Sequence, residues 1–438
     1  MGYYGVIADD LTGAMDAGMQ MAGKNRTVRI ALSIKDLAAV ARDSDFVVVN
    51  TQSRNGTSEE AYEKTFEAVK QFINSAAAAV YKKIDSTLRG HIGAEIKAII
   101  DSGASDCVIV APALPFHNRT TRHGVHYIDG RKLADTELAK DPFSPIRCSE
   151  VSEMIRQEFD VRVGLVDLKT VRNGCLAIFE ECNDLIQQGV RILVADAEEE
   201  TDLKAIAAGT KLLDRNKVLC GSAGLFQYFD EAYDIKPVIG KKHKTAPAAG
   251  KSAPLLVISG SPAAMSKEQI RFLAEQRKEA RVLHFDINSA PYAEMRDAAK
   301  QIADQILQDL DSGHDVVLDA AGEGKEALLK EALADKQKSE RDKSTLLQMV
   351  SDIAFSAVTQ ASIRGLVLFG GDTAVAIAER LGAQGIEIKG QVEPYIPHGE
   401  LIGGVSPGLP VVTKAGGFGK EDFLAVLFKN FRKDENYD

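Results

Sequence analysis

No stretch of the 438-residue chain approaches the ~20 consecutive apolar residues that a membrane-spanning helix needs. Basic residues are in deficit too. The formal charge of −10 leaves no cationic excess to neutralise a phosphate backbone, which argues against broad nucleic-acid binding but allows a local basic pocket. The opening, Met1-Gly2-Tyr3-Tyr4-Gly5-Val6, lacks the basic start of a secretory signal and reaches Asp9 and Asp10 too early. Val6 stands where myristoylation of Gly2 would want Ser or Thr. Cysteines are few, and Cys107, Cys148, Cys175, Cys182 and Cys220 form no C-x-x-C pair. That speaks against a zinc site and fits reduced thiols in a cytoplasm. No repeat of solenoid period is present. The chain also lacks G-x-x-x-x-G-K-[ST] and the protein-kinase signatures. Gly416-Gly417-Phe418-Gly419 does not continue as a dinucleotide fingerprint, because the sixth position from Gly417 is Asp422.

What is present is an alternation of short β-branched runs with longer amphipathic ones. Strands are predicted at Tyr4–Ala8, Thr27–Leu32, Phe46–Asn50, Val80–Ile84, Cys107–Ala111, Val163–Asp167 and Ile192–Asp196, with helices such as Ser58–Ser75 and Ile92–Asp101 between them. The small, basic, aperiodic stretch 241–254 reads as a linker. Beyond it, strands are expected at Leu255–Ser259, Val282–Asp286, Val316–Asp319, Gly365–Phe369 and Pro410–Thr413. The fold class is therefore α/β with two domains, 1–240 and 255–438, each a mainly parallel sheet flanked by helices, with an active site expected in the interdomain cleft. The charged segment Lys330–Lys343 reads as a solvated helix face or loop.

Parallel sheets bind ligands beyond the carboxyl ends of their strands. Three such ends in the first half are unusually polar. The first strand runs into Asp9-Asp10-Leu11-Thr12-Gly13, where Thr12 or Asp10 can cap the next helix. One carboxylate would serve as a cap, and two adjacent acids repel unless a cation or donor-rich ligand is near. Asn50-Thr51-Gln52-Ser53-Arg54 supplies a guanidinium fork suited to a carboxylate. Lys83-Ile84-Asp85-Ser86-Thr87-Leu88-Arg89-Gly90 combines an acid suited to accept a hydroxyl proton with two cations suited to anions. A weaker feature is Pro112–Gly130, long, basic and aperiodic, which reads as a lid or binding loop; none of its histidines is assigned to a metal. The second half repeats strand, glycine turn and helix at Ser259-Gly260-Ser261, Gly370-Gly371-Asp372-Thr373 and Lys414-Ala415-Gly416-Gly417, a pattern suited to phosphate.

Together these motifs, with Ala111-Pro112-Ala113-Leu114-Pro115, resemble the four-carbon acid sugar kinase family over nearly the whole chain. The resemblance implies ATP-dependent phosphorylation of the terminal hydroxyl of threonate, erythronate or 3-oxotetronate. It places the acid sugar on residues matching Asp10, Arg54, Lys83, Ile84, Asp85 and Ser86, and ATP on those matching Ser259, Gly370, Gly371, Asp372, Thr373 and Gly416. Relatives commonly carry Glu where this chain has Asp372. Asp9, Arg89 and Gly417 are added as neighbours. In the expected mechanism Arg54 or Lys83 holds the substrate carboxylate, Asp10 and Asp9 take hydroxyls, and Thr12 caps the helix that aims them. Asp85 is the base, with Asp10 second, and Mg2+ bridges the phosphates through ligands left unassigned. A homodimer is left open. Two rivals were weighed. An aspartyl-nucleophile phosphatase fails because Ala8 occupies the nucleophile position. A non-catalytic two-lobed sugar-acid sensor would have no use for three glycine turns in one lobe.

Overall fold

The computed structural model describes residues 2–140, 144–237, 253–277, 279–285, 292–321 and 336–433. The chain divides into two compact units, Met1–Lys241 and Lys242–Asp438. Residues 241–252 of the expected linker lie outside the described residues, as does the charged segment up to 335. From Lys336 that segment is the start of a helix reaching Gln360.

In the first unit the β-branched runs become β1 (Tyr4–Ala8), β2 (Val28–Ala31), β3 (Phe46–Asn50), β4 (Val80–Lys83) and β5 (Cys107–Ala111). Three short strands follow: β6 (Arg119–Arg122), β7 (Val125–Ile128) and β8 (Arg131–Lys132). The unit closes with β9 (Val163–Val166), β10 (Ile192–Ala195) and β11 (Lys217–Gly221). Its main sheet is parallel in the order β2-β3-β1-β4-β11-β5-β10-β9. Strands β1 and β3 are buried almost throughout, as expected of parallel strands covered on both faces. One face is sealed by a cluster of rings: Phe46, Tyr81, Phe226 and Phe229 pack with centroids 4.6 to 6.0 Å apart.

The expected lid Pro112–Gly130 is not an aperiodic loop. It builds a separate antiparallel sheet, β6-β7-β8. Its Arg, Thr and His side chains hid the alternation that marks a strand.

The second unit contains β12 (Leu255–Ser259), β13 (Arg281–His284), β14 (Val316–Asp319), β15 (Gly365–Phe369), β16 (Ala383–Glu393), β17 (Ile396–Gly403) and β18 (Pro410–Lys414). The order is β13-β14-β12-β15-β18-β17-β16, parallel from β13 to β18, with β17 antiparallel to both neighbours. Strands β11, β16 and β17 were not foreseen. β16 and β17 carry register shifts and interior glycines that break a period of two.

Candidate active site

Strands β3, β1 and β4 are neighbours, so the three polar clusters emerge side by side. Backbone bonds join the first two: the amides of Ser53 and Arg54 donate to the Asp9 carbonyl at 3.0 and 3.3 Å. Gly90 closes the third over them, where an added Cβ would meet Asp9 Oδ2 at 3.3 Å and Arg54 Cα at 3.7 Å. Gly90 has φ +97°, and Leu88 in the same loop holds φ +58°, a costly geometry for a branched side chain.

Arg54 does not present its fork to solvent. Nε and Nη2 donate to the two oxygens of Asp9 at 2.7 and 2.9 Å, and Nη1 donates to Asp10 Oδ2 at 2.6 Å. The fork expected to meet a substrate carboxylate is thus engaged by the protein's own acids. Asp9 is 2% exposed against 25% for the Asp10 side chain. Asp10 is thus the more accessible acid of the two, and Asp9 positions Arg54. Burial opposes charge on Asp9, but Arg54, Lys82 and Lys83 outweigh it and hold its carboxyl below the usual range. Burial, helped by the Asp9 charge, lifts Asp10 above that range despite Arg54. The helix cap is Asp10: its Oδ1 accepts from the Gly13 amide at 2.7 Å, while Thr12 lies inside the helix Leu11–Ala22.

Lys82 and Lys83 point to opposite faces, as a strand dictates. Lys83 Nζ donates to the Ile84 carbonyl at 2.9 Å and lies 3.9 Å from Asp16. It also approaches Gly13, 3.4 Å from a Cβ built there. Lys82, fully buried, pairs with Glu95 at 3.0 Å, and Glu95 accepts from Ser53 at 2.9 Å. That network ties the 51–54 loop to β4 and was missed, because nothing in the sequence pairs Lys82 with Glu95 or Glu95 with Ser53. Ile84 has a core side chain and offers only its backbone to a ligand.

Asp85 is 8% exposed. Thr87 Oγ1 and Arg89 Nε donate to the same oxygen, Oδ2, at 2.6 and 2.5 Å. Both of these side-chain donors therefore meet one oxygen of the carboxylate. Burial acts to raise its pKa, but Arg89 and Arg54 prevail and hold the carboxyl well below the usual range.

The small sheet grips this loop. Arg119 Nη1 donates to Ser86 Oγ, and His126 Nε2 lies 2.9 Å from the Ser86 carbonyl, with Nδ1 3.0 Å from Thr121 Oγ1. The neutral Nε2–H tautomer, donating to Ser86 and accepting from Thr121, satisfies both contacts. Burial, the dominant cause, pulls the His126 pKa from 6.5 down to about 4. A folded pKa below the unfolded one means stability is present above 6.5 and lost as pH falls toward 4. His126→Gln keeps a donor but cannot titrate. Urea unfolding at pH 7 and pH 5 is expected to show wild type losing about 2 kcal/mol more than this variant over that interval; equal losses would refute the role.

In the second unit the three glycine turns lie at the ends of the adjacent strands β12, β15 and β18. They interlock. A Cβ on Gly260 would fall 2.2 Å from Thr373 Oγ1, and one on Gly416 would fall 2.1 Å from Ser261 Oγ. Gly370, at φ +104°, caps the helix Gly371–Arg380. Ser259 Oγ is buried with no hydrogen-bond partner among the described residues. Gly417 has open space where a Cβ would sit. The Asp372 side chain is 57% exposed and pairs with Lys343 at 2.5 Å. Lys414, 2% exposed, holds the last turn by donating to the carbonyls of Gly416 and Phe418, each at 3.0 Å. Beside Ser259, Asp319 takes Lys267 on both oxygens at 2.9 and 3.0 Å. Neither Lys414 nor Asp319 was singled out as a site residue from sequence.

The first unit thus gathers acids and cations at adjoining strand ends, and the second gathers three glycine turns. Residues 4–229 match the family model of a sugar-binding N-terminal domain, and residues 256–424 that of a nucleotide-binding C-terminal domain. A D-threonate kinase of Salmonella typhimurium is 33% identical over 427 residues, covering 96% of each chain. A D-erythronate kinase of Heliobacterium modesticaldum is 30% identical over 427 residues, 95% of this chain and 94% of its own. A 3-oxo-tetronate kinase of Actinobacillus succinogenes is 26% identical, over 96% of this chain and 97% of its own. A solved structure from Salmonella typhimurium LT2, described as a tRNA synthase, superposes with a TM-score of 0.81 at 22% identity, over 98% of this chain and all of that one, and speaks to the fold alone. The chain belongs to the four-carbon acid sugar kinase family, phosphotransferases with an alcohol group as acceptor. The sensor reading is set aside accordingly. No helix among the described residues is long and apolar enough to cross a membrane.

Proposed function

We propose that this protein transfers the γ-phosphate of ATP to the terminal (C4) hydroxyl of a four-carbon acid sugar such as D-threonate, D-erythronate or 3-oxotetronate, in the cytoplasm. The observation that carries the reading is Asp85, a buried carboxylate with both donors on one oxygen, beside the Asp10–Arg54–Asp9 network at adjoining strand ends. Asp85 Oδ1 orients the acceptor hydroxyl and takes its proton as the bond to phosphorus forms. Asp10 accepts a second hydroxyl, and Lys83 and Arg89 offset charge nearby. The first unit holds the acid sugar. The second holds ATP on Ser259, Gly370, Gly371, Thr373, Gly416 and Gly417, whose orphaned hydroxyl and glycine surfaces fit a polyphosphate. Asp372, the residue that relatives commonly replace by Glu, borders the same turn and pairs with Lys343.

Mg2+ fits as an ion carried chiefly by the phosphates and water, which neutralises their charge when bound. No group of three or more His, Cys, Asp or Glu side chains able to hold a metal occurs among the described residues. The test is ADP release with a panel of four-carbon acids, with and without magnesium. Release with at least one acid, dependent on magnesium, is expected. Silence with every acid would refute the activity, and tight acid binding alongside that silence would restore the sensor.

A further inference from the structure

The cations around the candidate acid-sugar site are mostly committed. Arg54 is used by Asp9 and Asp10, Arg89 by Asp85, and Lys82 by Glu95, while Lys83 donates to a backbone carbonyl. Arg119 differs. Its Nη1 donates to Ser86, but its Nε is buried with no hydrogen-bond partner. A second orphan lies by the same loop. Asp16 stands on the helix Leu11–Ala22 with Oδ2 3.9 Å from Lys83 Nζ, and its Oδ1 is buried and unpartnered.

Natural proteins keep few buried donors or acceptors unpaired, and each one calls for an explanation. Here one is a cationic donor and the other a carboxylate oxygen, and both border the segment Lys83–Ser86. Each lies within electrostatic reach of the other and of Asp85. A ligand with an anionic acceptor at one end and hydroxyl donors along its length would satisfy both.

We propose that Arg119 holds the carboxylate of the acid sugar and that Asp16 accepts a hydrogen bond from one of its hydroxyls. This rests on the function proposed above and adds Arg119 to Arg54 and Lys83, the cations expected to meet that carboxylate. It also gives the small sheet β6-β7-β8 a purpose, since β6 begins with this arginine.

The test compares ADP release with D-threonate and with threitol, the polyol of the same length that lacks the carboxylate. Wild type is expected to favour the acid by about 100-fold or more in kcat/KM. Arg119→Met is expected to reduce that preference to a few-fold, with Arg119→Lys recovering part of it. Asp16→Asn should raise the KM for the acid about tenfold while leaving the KM for ATP in place. A preference kept at wild-type size in Arg119→Met overturns the assignment, and so does an equal loss with acid and polyol. If Arg119→Met does not fold, Arg119→Lys decides, and its preference must then fall about tenfold or more. Thermal shifts separate this proposal from the activity itself. If wild type releases no ADP, stabilisation by the acid but not by threitol, absent in the folded variant, still supports the subsite. No stabilisation of wild type by any acid overturns it.

Discussion

Replacing Asp85 by Asn is expected to lower kcat by about 10³-fold while changing the KM for the acid sugar by less than about 3-fold. Asn keeps the shape and one acceptor oxygen but cannot take a proton. Asp85 is an unusual base, since Arg89 and Arg54 overcome the cost of burial and hold its pKa far below normal. That argues against deprotonation of a free hydroxyl in the ground state. It suits phosphoryl transfer, in which the proton is lost late, after the bond to phosphorus has begun to form. A carboxylate that stays ionised across the working pH range then serves to orient the nucleophile. kcat should accordingly show no titration assignable to Asp85 between pH 5 and 9. Loss confined to KM would remove Asp85 from the chemistry and leave it a binding residue.

Arg54→Ala is expected to destabilise the first unit by about 3–5 kcal/mol. The truncation leaves Asp9, 2% exposed, without the donors that bind both its oxygens, and removes the bond from Nη1 to Asp10. The lower thermal transition should fall by roughly 10 °C. Asp9→Asn in the same chain removes the stranded charge, so the double variant should recover part of the loss without recovering activity. An Arg54→Ala protein as stable as wild type, but with weakened acid binding, would show that Arg54 serves the ligand and not the two aspartates.

Much of this was legible in the sequence because parallel strands covered on both faces are continuous apolar runs. β1, β3, β5, β12, β14 and β15 have the boundaries their β-branched runs predict. The three polar clusters stood out because carboxylates and cations directly after such runs must emerge at a sheet end. What sequence could not show was which charges answer one another. Arg54 and Asp9 are 45 residues apart, and only the order β3-β1-β4 makes them partners. Asp16 reads as one polar residue on a buried helix, and Arg119 as one of several basic residues in a loop. The cap fell to Asp10 and not Thr12 because the helix already begins at Leu11, before the position at which a Thr12 cap would start it.

The order of the first unit's sheet also bears on how the protein is made. Its last strand, β11, lies in the middle, between β4 and β5. During synthesis those two strands have unpaired facing edges until Gly221 has left the ribosome, a period in which other chains can add to them. β11 does more than fill the gap, because the Gly221 carbonyl accepts the Ile84 amide at 2.9 Å and so anchors the start of the Asp85 loop. The proposed catalytic aspartate is made well before β11, yet the anchor of its loop on Gly221 forms only when that closing strand arrives.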